Sequence, residues 1–245
     1  MRTATLFALP LLLAASLAAG AQTLTVSWRE KPPYSYVEDG VEKGFMLAHA
    51  KELFATAGIE ANFVREPQKR ILTRFQDGTQ NYCSLAWYHL PEREQLAQFT
   101  LPIYTDPPQT ILIAPAAVAR VRKHATLAAL MSDPELTLAM VDGVSYGAEL
   151  DARIKRSKNQ IMRRTVPIAN LMQMLAADRA SYLLADRNDW KYMRAHYKEL
   201  AAVVQHDVPD MSPGLKRHIM CSRDVPTAII EKLNQAIRST PKPVM

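Results

Sequence analysis

The chain has 245 residues, with 30 lysines and arginines against 24 acids, a formal net charge of +6. That excess is spread over the whole length, without the dense basic run and interleaved aromatics that nucleic-acid binding requires. No internal repeat, low-complexity tract or linker interrupts it, and the length suits one large domain or two small lobes.

The first twenty-odd residues read as a leader. Arg2 precedes an apolar run from Leu6 to Leu17, and Ala19, Gly20 and Ala21 supply small residues for cleavage. The run is shorter than the roughly 20 residues that span a bilayer, and Pro10 interrupts it. No later segment is long and apolar enough to span a membrane, so the mature chain is expected to start near Gln22, soluble and in an oxidising compartment.

Strands and helices then alternate. Leu24 to Trp28 reads as a strand, broken by the loop Lys31-Pro32-Pro33-Tyr34. Gly44 to Ala57 is predicted helical, with Phe45, Leu47, Leu53 and Phe54 on one face and Gly58 ending it. A strand over Ile59 to Val64 and a helix over Gln68 to Phe75 follow, and Gly78 closes that helix. Tyr82 to Trp87 has the length of a buried strand, and Pro91-Glu92-Arg93-Glu94 opens a new helical turn, with proline and acids suited to its start. Thr110 to Pro115 is strand-like. Beyond it lie a short helix over Leu127 to Met131, a strand over Leu136 to Val141, the turn Gly143-Val144-Ser145-Tyr146 and a helix opening near Gly147. A glycine and a hydroxyl before a helix form an anion site, or simply a capped turn. The basic group from Arg153 to Lys158, continued at Arg163 and Arg164, reads as a solvated helix face. Ile168 to Ala177 is predicted helical and Ser181 to Asp186 a strand. An aspartate at the carboxyl end of a strand in an open α/β sheet faces the ligand crevice; Asp186 serves equally as the N-cap of a helix starting at Arg187 or Asn188. A strand over His218 to Arg223 and a helix over Thr227 to Ile237 end the pattern. Such alternation predicts an α/β fold with crossover helices. Two cysteines, Cys83 and Cys221, sit in short apolar segments; in an exported protein they are either bridged or two separate buried thiols.

The stretch from Gly78 to Tyr104 resembles the type II periplasmic solute-binding proteins, amino-acid-binding family 3, as a divergent member. Gly78, Arg93, Phe99, Thr100, Pro102 and Tyr104 fall at the places of that family's first-lobe pattern without a gap. Asn81 stands where the family has aspartate, Leu90 where it has the threonine of T-x-x-R, and Met46 and Ala48 replace the aspartates of G-F-D-x-D. The resemblance implies a two-lobed α/β fold, each lobe a mostly parallel sheet flanked by helices, with a cleft between. Lobe 1 is expected over 22–110 plus 216–245 and lobe 2 over 111–215. It implies that Arg93 clamps a ligand carboxylate, as a planar guanidinium can with two parallel hydrogen bonds, and that the Gly143–Ser145 turn donates to the same group from the opposite side. Asp186 would receive an ammonium. Glu30, Tyr34, Trp87 and Tyr88 would wall the cleft, and Arg70 would be a second anion contact or a solvated helical arginine. By the same resemblance the strand of Cys83 lies beside the returning strand of Cys221, which implies a disulfide between them, contributing on the order of 4 to 5 kcal/mol.

These expectations describe a monomeric periplasmic protein that closes on a small carboxylate or zwitterion and delivers it to a membrane permease complex, without nucleic acid. Two other readings share the fold: an enzyme resembling cyclohexadienyl dehydratase, with Glu30 or Asp186 as general acid, and a module presenting its ligand to a membrane sensor. The chain carries no H-E-x-x-H cluster, no Gly-rich phosphate loop and no ligand spacing among its histidines, so neither a metal nor a cofactor is expected.

Overall fold

The computed structural model describes residues 23–243. The expected leader and its cleavage site near Ala21 lie outside the described residues.

Strand β1 (Leu24–Trp28) is followed by the hairpin β2 (Tyr36–Glu38) and β3 (Val41–Lys43), then α1 (Phe45–Thr56). Next come β4 (Ala61–Arg65), α2 (Gln68–Gln76), β5 (Tyr82–Tyr88), the single turn α3 (Pro91–Glu94), β6 (Ala97–Phe99) and β7 (Tyr104–Thr105). The chain crosses to β8 (Thr110–Ile113), α4 (Val118–Val121), α5 (Leu127–Met131), β9 (Thr137–Val141), α6 (Ala148–Lys155) and β10 (Gln160–Arg164). It continues through α7 (Ile168–Ala176), β11 (Tyr182–Ala185), α8 (Arg187–His196) and β12 (Val204–His206), and returns as β13 (Lys216–Ser222) and α9 (Thr227–Ser239).

Two principal sheets result, ordered β4-β1-β5-β13-β6, with β7 on β13, and β10-β9-β11-β8-β12. Each is mixed, which corrects the expectation of mostly parallel sheets. The parallel pairs β4–β1–β5 and β10–β9–β11 come from strand-helix-strand crossovers, whereas β13 and β8 enter from the opposite sheet and so run antiparallel to their neighbours. On one face of the first sheet, Leu47, Leu53 and Phe54 of α1 and Leu233 and Ile237 of α9 pack over Val26 and Leu85. On the other, Ile71 and Phe75 of α2 pack with Tyr82 and Trp87. In the second sheet Leu138 and Leu184 face α5 and α6, while Ala139 and Leu183 face α7 and α8. The alternation along each strand is the period of two that places successive side chains on opposite faces.

Cys83 and Cys221 are cross-strand partners in β5 and β13 and are joined by a disulfide, S–S 2.08 Å. Two close approaches hold the crossover segments. Gly44 has φ 118°, and a Cβ there would lie 2.3 Å from the Tyr34 carbonyl oxygen. That same oxygen accepts the N–H groups of Met46 and Leu47, which lack helical partners at the start of α1. Gly214 lies against the backbone of Asp106, where a Cβ would stand 1.6 Å from its carbonyl oxygen. The outgoing and returning segments therefore run side by side, joined by the Asp106 N–H donating to Leu215 at 2.9 Å.

Candidate functional site

The carboxyl ends of β1, β5, β9 and β11 converge on one cavity of about 250 Å3 between the two sheets. Its first-sheet wall holds Arg29, Lys31, Trp87, Tyr88, Arg93 and Arg217; its second-sheet wall holds the Gly143–Tyr146 turn, Asp186 and Asp189. This is where an open α/β sheet offers strand ends and helix starts to a ligand.

Arg217 organises the floor. It is 2% exposed, and its Nε and Nη2 each lie 2.8 Å from an oxygen of Asp106. Nη2 also donates to the Tyr88 hydroxyl at 2.9 Å and to Asp186 Oδ2 at 3.2 Å, and Nη1 to the Ala86 carbonyl at 3.2 Å. Burial alone would weaken this charge, but Tyr88, Asp106, Tyr34 and Asp186 together hold the guanidinium protonated well above its ordinary range. Ala86 has φ 61°, a strained value for a residue with a side chain, and the β5–β13 register shifts opposite it, between His218 and Met220. The resulting bulge turns the end of β5 and aims Trp87 and Tyr88 at the cavity.

Asp186 caps α8: its Oδ1 accepts the Asn188 N–H at 2.8 Å and the Asp189 N–H at 3.3 Å. Its Oδ2 takes the Tyr34 hydroxyl at 2.6 Å and Arg217. Burial works against its charge, yet Lys31, Arg217 and these hydrogen bonds outweigh burial and hold its titration below the ordinary carboxylate value. Asp189, in the first turn of α8, receives the ammonium of Lys31 on both oxygens. Burial pushes Asp189 up to about 6, with Lys31 opposing and the neighbouring Asp186 adding to it. The Lys31–Asp189 and Tyr34–Asp186 contacts join the two sheets across the cavity, and Asn188 adds bonds of 3.0 Å to the hydroxyls of Tyr34 and Tyr104.

Two further guanidiniums face the cavity with neutral partners. Arg29 donates to the side-chain oxygen of Gln68, and Arg93 donates to the Tyr88 carbonyl at 2.8 Å. Both sit over the Trp87 indole, 5.3 and 4.9 Å from the ring, within reach of cation–π attraction. The ring is fixed by its N–H donating to Ser84 Oγ at 2.7 Å. Burial lowers both arginines, Arg29 to about 10.

A family model of the bacterial extracellular solute-binding proteins, family 3, matches residues 24–241. The chain belongs to this family. No curated protein matches it in sequence. Among solved structures, this family 3 protein is similar to the periplasmic VFT2 domain of Bordetella pertussis BvgS, with TM-score 0.69 and 16% identity over 90% of this chain and 88% of that one. An ancestral arginine-binding protein bound to arginine gives 0.68 and 18% over 88% and 91%. The arginine-, lysine-, histidine-binding protein ArtJ from Geobacillus stearothermophilus gives 0.68 and 13% over 89% and 88%. The neighbours share the two-lobed fold of type II periplasmic binding proteins.

Of the residues expected to meet a ligand, the structure brings Arg93, Trp87, Tyr88, Glu30, Gly143, Ser145 and Asp186 to the cavity wall of the family 3 protein. Tyr34, Ser145 and Glu30 are arranged differently from the ligand-contact expectation, and Arg70 takes the solvated helical position that the sequence also allowed. Tyr34 is 1% exposed, sits under Lys31 and Arg217 with both cations over its ring, and spends its hydroxyl on Asp106 and Asp186, so it supports the floor from beneath. Arg70 lies on the exposed face of α2, outside the cavity. The Ser145 hydroxyl donates to Asp151 Oδ2 at 2.5 Å and accepts the Gly147 N–H, closing a turn at the start of α6. Glu30 pairs with Arg65 at 3.1 Å and accepts the Val37 N–H, at the outer rim. Arg29, Lys31, Asp106, Asp189 and Arg217 were not singled out from the sequence. Arg29 and Lys31 carried a usable signal, since they follow the carboxyl end of β1 as Asp186 follows β11. Arg217 carried none, because its acidic partners are 111 and 31 residues away.

Proposed function

We propose that this protein is a periplasmic binding protein that captures a small carboxylate-bearing solute between lobes of about 22–110 plus 216–245 and 111–215, and hands it to a membrane transporter. The observation that carries this reading is the cavity at the strand ends, where Arg93 sits half-buried with a backbone carbonyl as its one hydrogen-bond partner among the described residues. A guanidinium so placed recovers its lost hydration when a carboxylate arrives. The backbone of the Gly143–Tyr146 turn faces it from the other sheet, and Trp87 and Tyr88 form the apolar and hydroxyl-bearing wall. Closure on the ligand excludes water and strengthens these charge contacts, and the ligand shifts the open–closed population by its differential affinity.

Several neighbours were solved as amino-acid-binding proteins, including one bound to arginine and one in complex with lysine, in keeping with a small organic ligand. The test is calorimetry of a panel of amino acids and organic acids against the parent chain and Arg93→Ala, guided by mass spectrometry of whatever small molecule survives gentle purification. Micromolar binding of at least one carboxylate, weakened about tenfold or more in Arg93→Ala, is expected. Unchanged affinity in the variant rejects this pocket.

A further inference from the structure

The charged groups of the cavity are engaged unequally. Its acids are committed. Asp186 offers about four lone-pair positions, and two backbone N–H groups, a tyrosine hydroxyl and Arg217 fill them. Asp189 is held on both oxygens by the ammonium of Lys31. Glu30 is turned to Arg65 at the rim. Among the described residues an incoming ammonium therefore meets no lining carboxylate without a cation of its own, and the place beside Asp186 and Asp189 already contains an amine belonging to the chain itself.

The cations divide in the opposite way. Lys31 and Arg217 are neutralised by Asp189, Asp106 and Asp186. Arg29 and Arg93 have only an amide oxygen and a backbone carbonyl as partners, and neither forms an ion pair among the described residues. Two like charges flanking one indole repel each other and are partly stripped of water, a cost that two ligand anions would offset. In the cavity lining Gln109 adds a buried side-chain oxygen without a partner among the described residues; by turning, its amide can offer N–H to a carboxylate. The cavity volume of about 250 Å3 suits a small organic acid.

From this distribution we infer that the ligand is a small dicarboxylate without an amino group, one carboxylate on Arg93 and the other on Arg29, with Lys31 standing where an amino acid would place its ammonium. The inference rests on the carboxylate-binding reading of the cavity and narrows it.

Matched pairs test it: succinate with aspartate, glutarate with glutamate, and adipate with 2-aminoadipate, alongside butyrate, glutamine and inorganic phosphate, all by calorimetry on the oxidised protein. At least one dicarboxylate should bind about tenfold or more tighter than its 2-amino counterpart and than butyrate. Arg29→Gln and Arg93→Gln, each checked for an unchanged circular dichroism spectrum, should each weaken that dicarboxylate tenfold or more and weaken butyrate less. Lys31→Met, which frees Asp189, should move the ratio towards the amino acid; an unmoved ratio overturns the role given to Lys31. An amino acid or butyrate equal to the best dicarboxylate overturns the inference and leaves carboxylate capture standing. Tighter phosphate binding overturns it as well. If no carboxylate binds, the reading beneath it fails too.

Discussion

Replacing Arg217 by methionine tests the floor of the cavity most directly. The substitution keeps an unbranched side chain and removes five donors, leaving Asp106 with the Tyr88 hydroxyl and Asp186 with its two backbone N–H groups, while the one proton of the Tyr34 hydroxyl, nearer to Asp186, serves a single carboxylate at a time. Arg217 and Asp106 have side-chain exposures of 2% and 1%, so water cannot replace what is lost. Removing one member of a buried ion pair leaves the other uncompensated and costs about 3 to 5 kcal/mol. With a urea dependence of roughly 3 kcal/mol per molar, the unfolding midpoint should fall by more than about 1 M. Adding Asp106→Asn removes one stranded charge, so the double variant should be at least about 2 kcal/mol more stable than the two single effects summed. Urea unfolding followed by circular dichroism and tryptophan fluorescence reads both quantities. A midpoint shift below about 0.3 M for Arg217→Met, or additive single effects, would refute the picture of ionised carboxylates held by one buried cation.

Other perturbations have equally definite outcomes. Cys83→Ala with Cys221→Ala opens a loop spanning 138 residues of sequence, for which chain entropy gives about 5 kcal/mol as an upper figure; a loss of at least about 2 kcal/mol is expected in urea, and an unchanged midpoint rejects it. Gly44→Ala forces a side chain onto φ 118° and against the Tyr34 carbonyl, so a loss of about 2 kcal/mol or more is expected, measured by thermal unfolding; a neutral result contradicts the close approach. Asp189 has its folded titration raised from 3.8 to about 6, so between these values the native chain holds more protons than the unfolded one, and this group's contribution falls as pH rises, by no more than about 3 kcal/mol. Asp186, shifted downwards, acts oppositely: its contribution is present above pH 3.8 and lost as pH falls through its folded value. The melting temperature of Asp189→Asn relative to the parent should therefore rise between pH 4 and 7, and parallel curves would count against it.

The legible parts of the fold were those with strong local signals. The helix from Leu127 to Met131 begins at Thr126, whose hydroxyl accepts the Ala129 N–H, and α8 begins at Asp186 with two such bonds. Strands buried on both faces, such as β5, β9 and β11, stood out as apolar runs. By contrast β10 is a polar edge strand whose residues are mostly exposed, and no periodicity marks it; Arg163 and Arg164 lie on it and not on the helix face expected, while Arg153 and Lys155 do lie on α6. The hairpin β2–β3 left a usable clue in Asp39-Gly40, whose φ values of 53° and 76° suit a tight two-residue turn. Site geometry was legible only where a single residue type carried it. Arg93 announced itself by its spacing, but which acids remain free for a ligand depends on Tyr34, Lys31 and Arg217 meeting Asp106, Asp186 and Asp189 across long sequence separations. No local pattern encodes that.

The bridge between Cys83 and Cys221 gives the polypeptide a covalent topology of its own. Everything from Ser84 to Met220, including the whole second sheet, is a closed ring carried by two tails. A single protease cut anywhere in that ring, even within the exposed strand β10, leaves one molecule of unchanged mass apart from the added water, and its halves part only under reductant. Nicked and intact protein would therefore migrate together on a denaturing gel run without thiol, and a digestion that looks like resistance there must be read again after reduction.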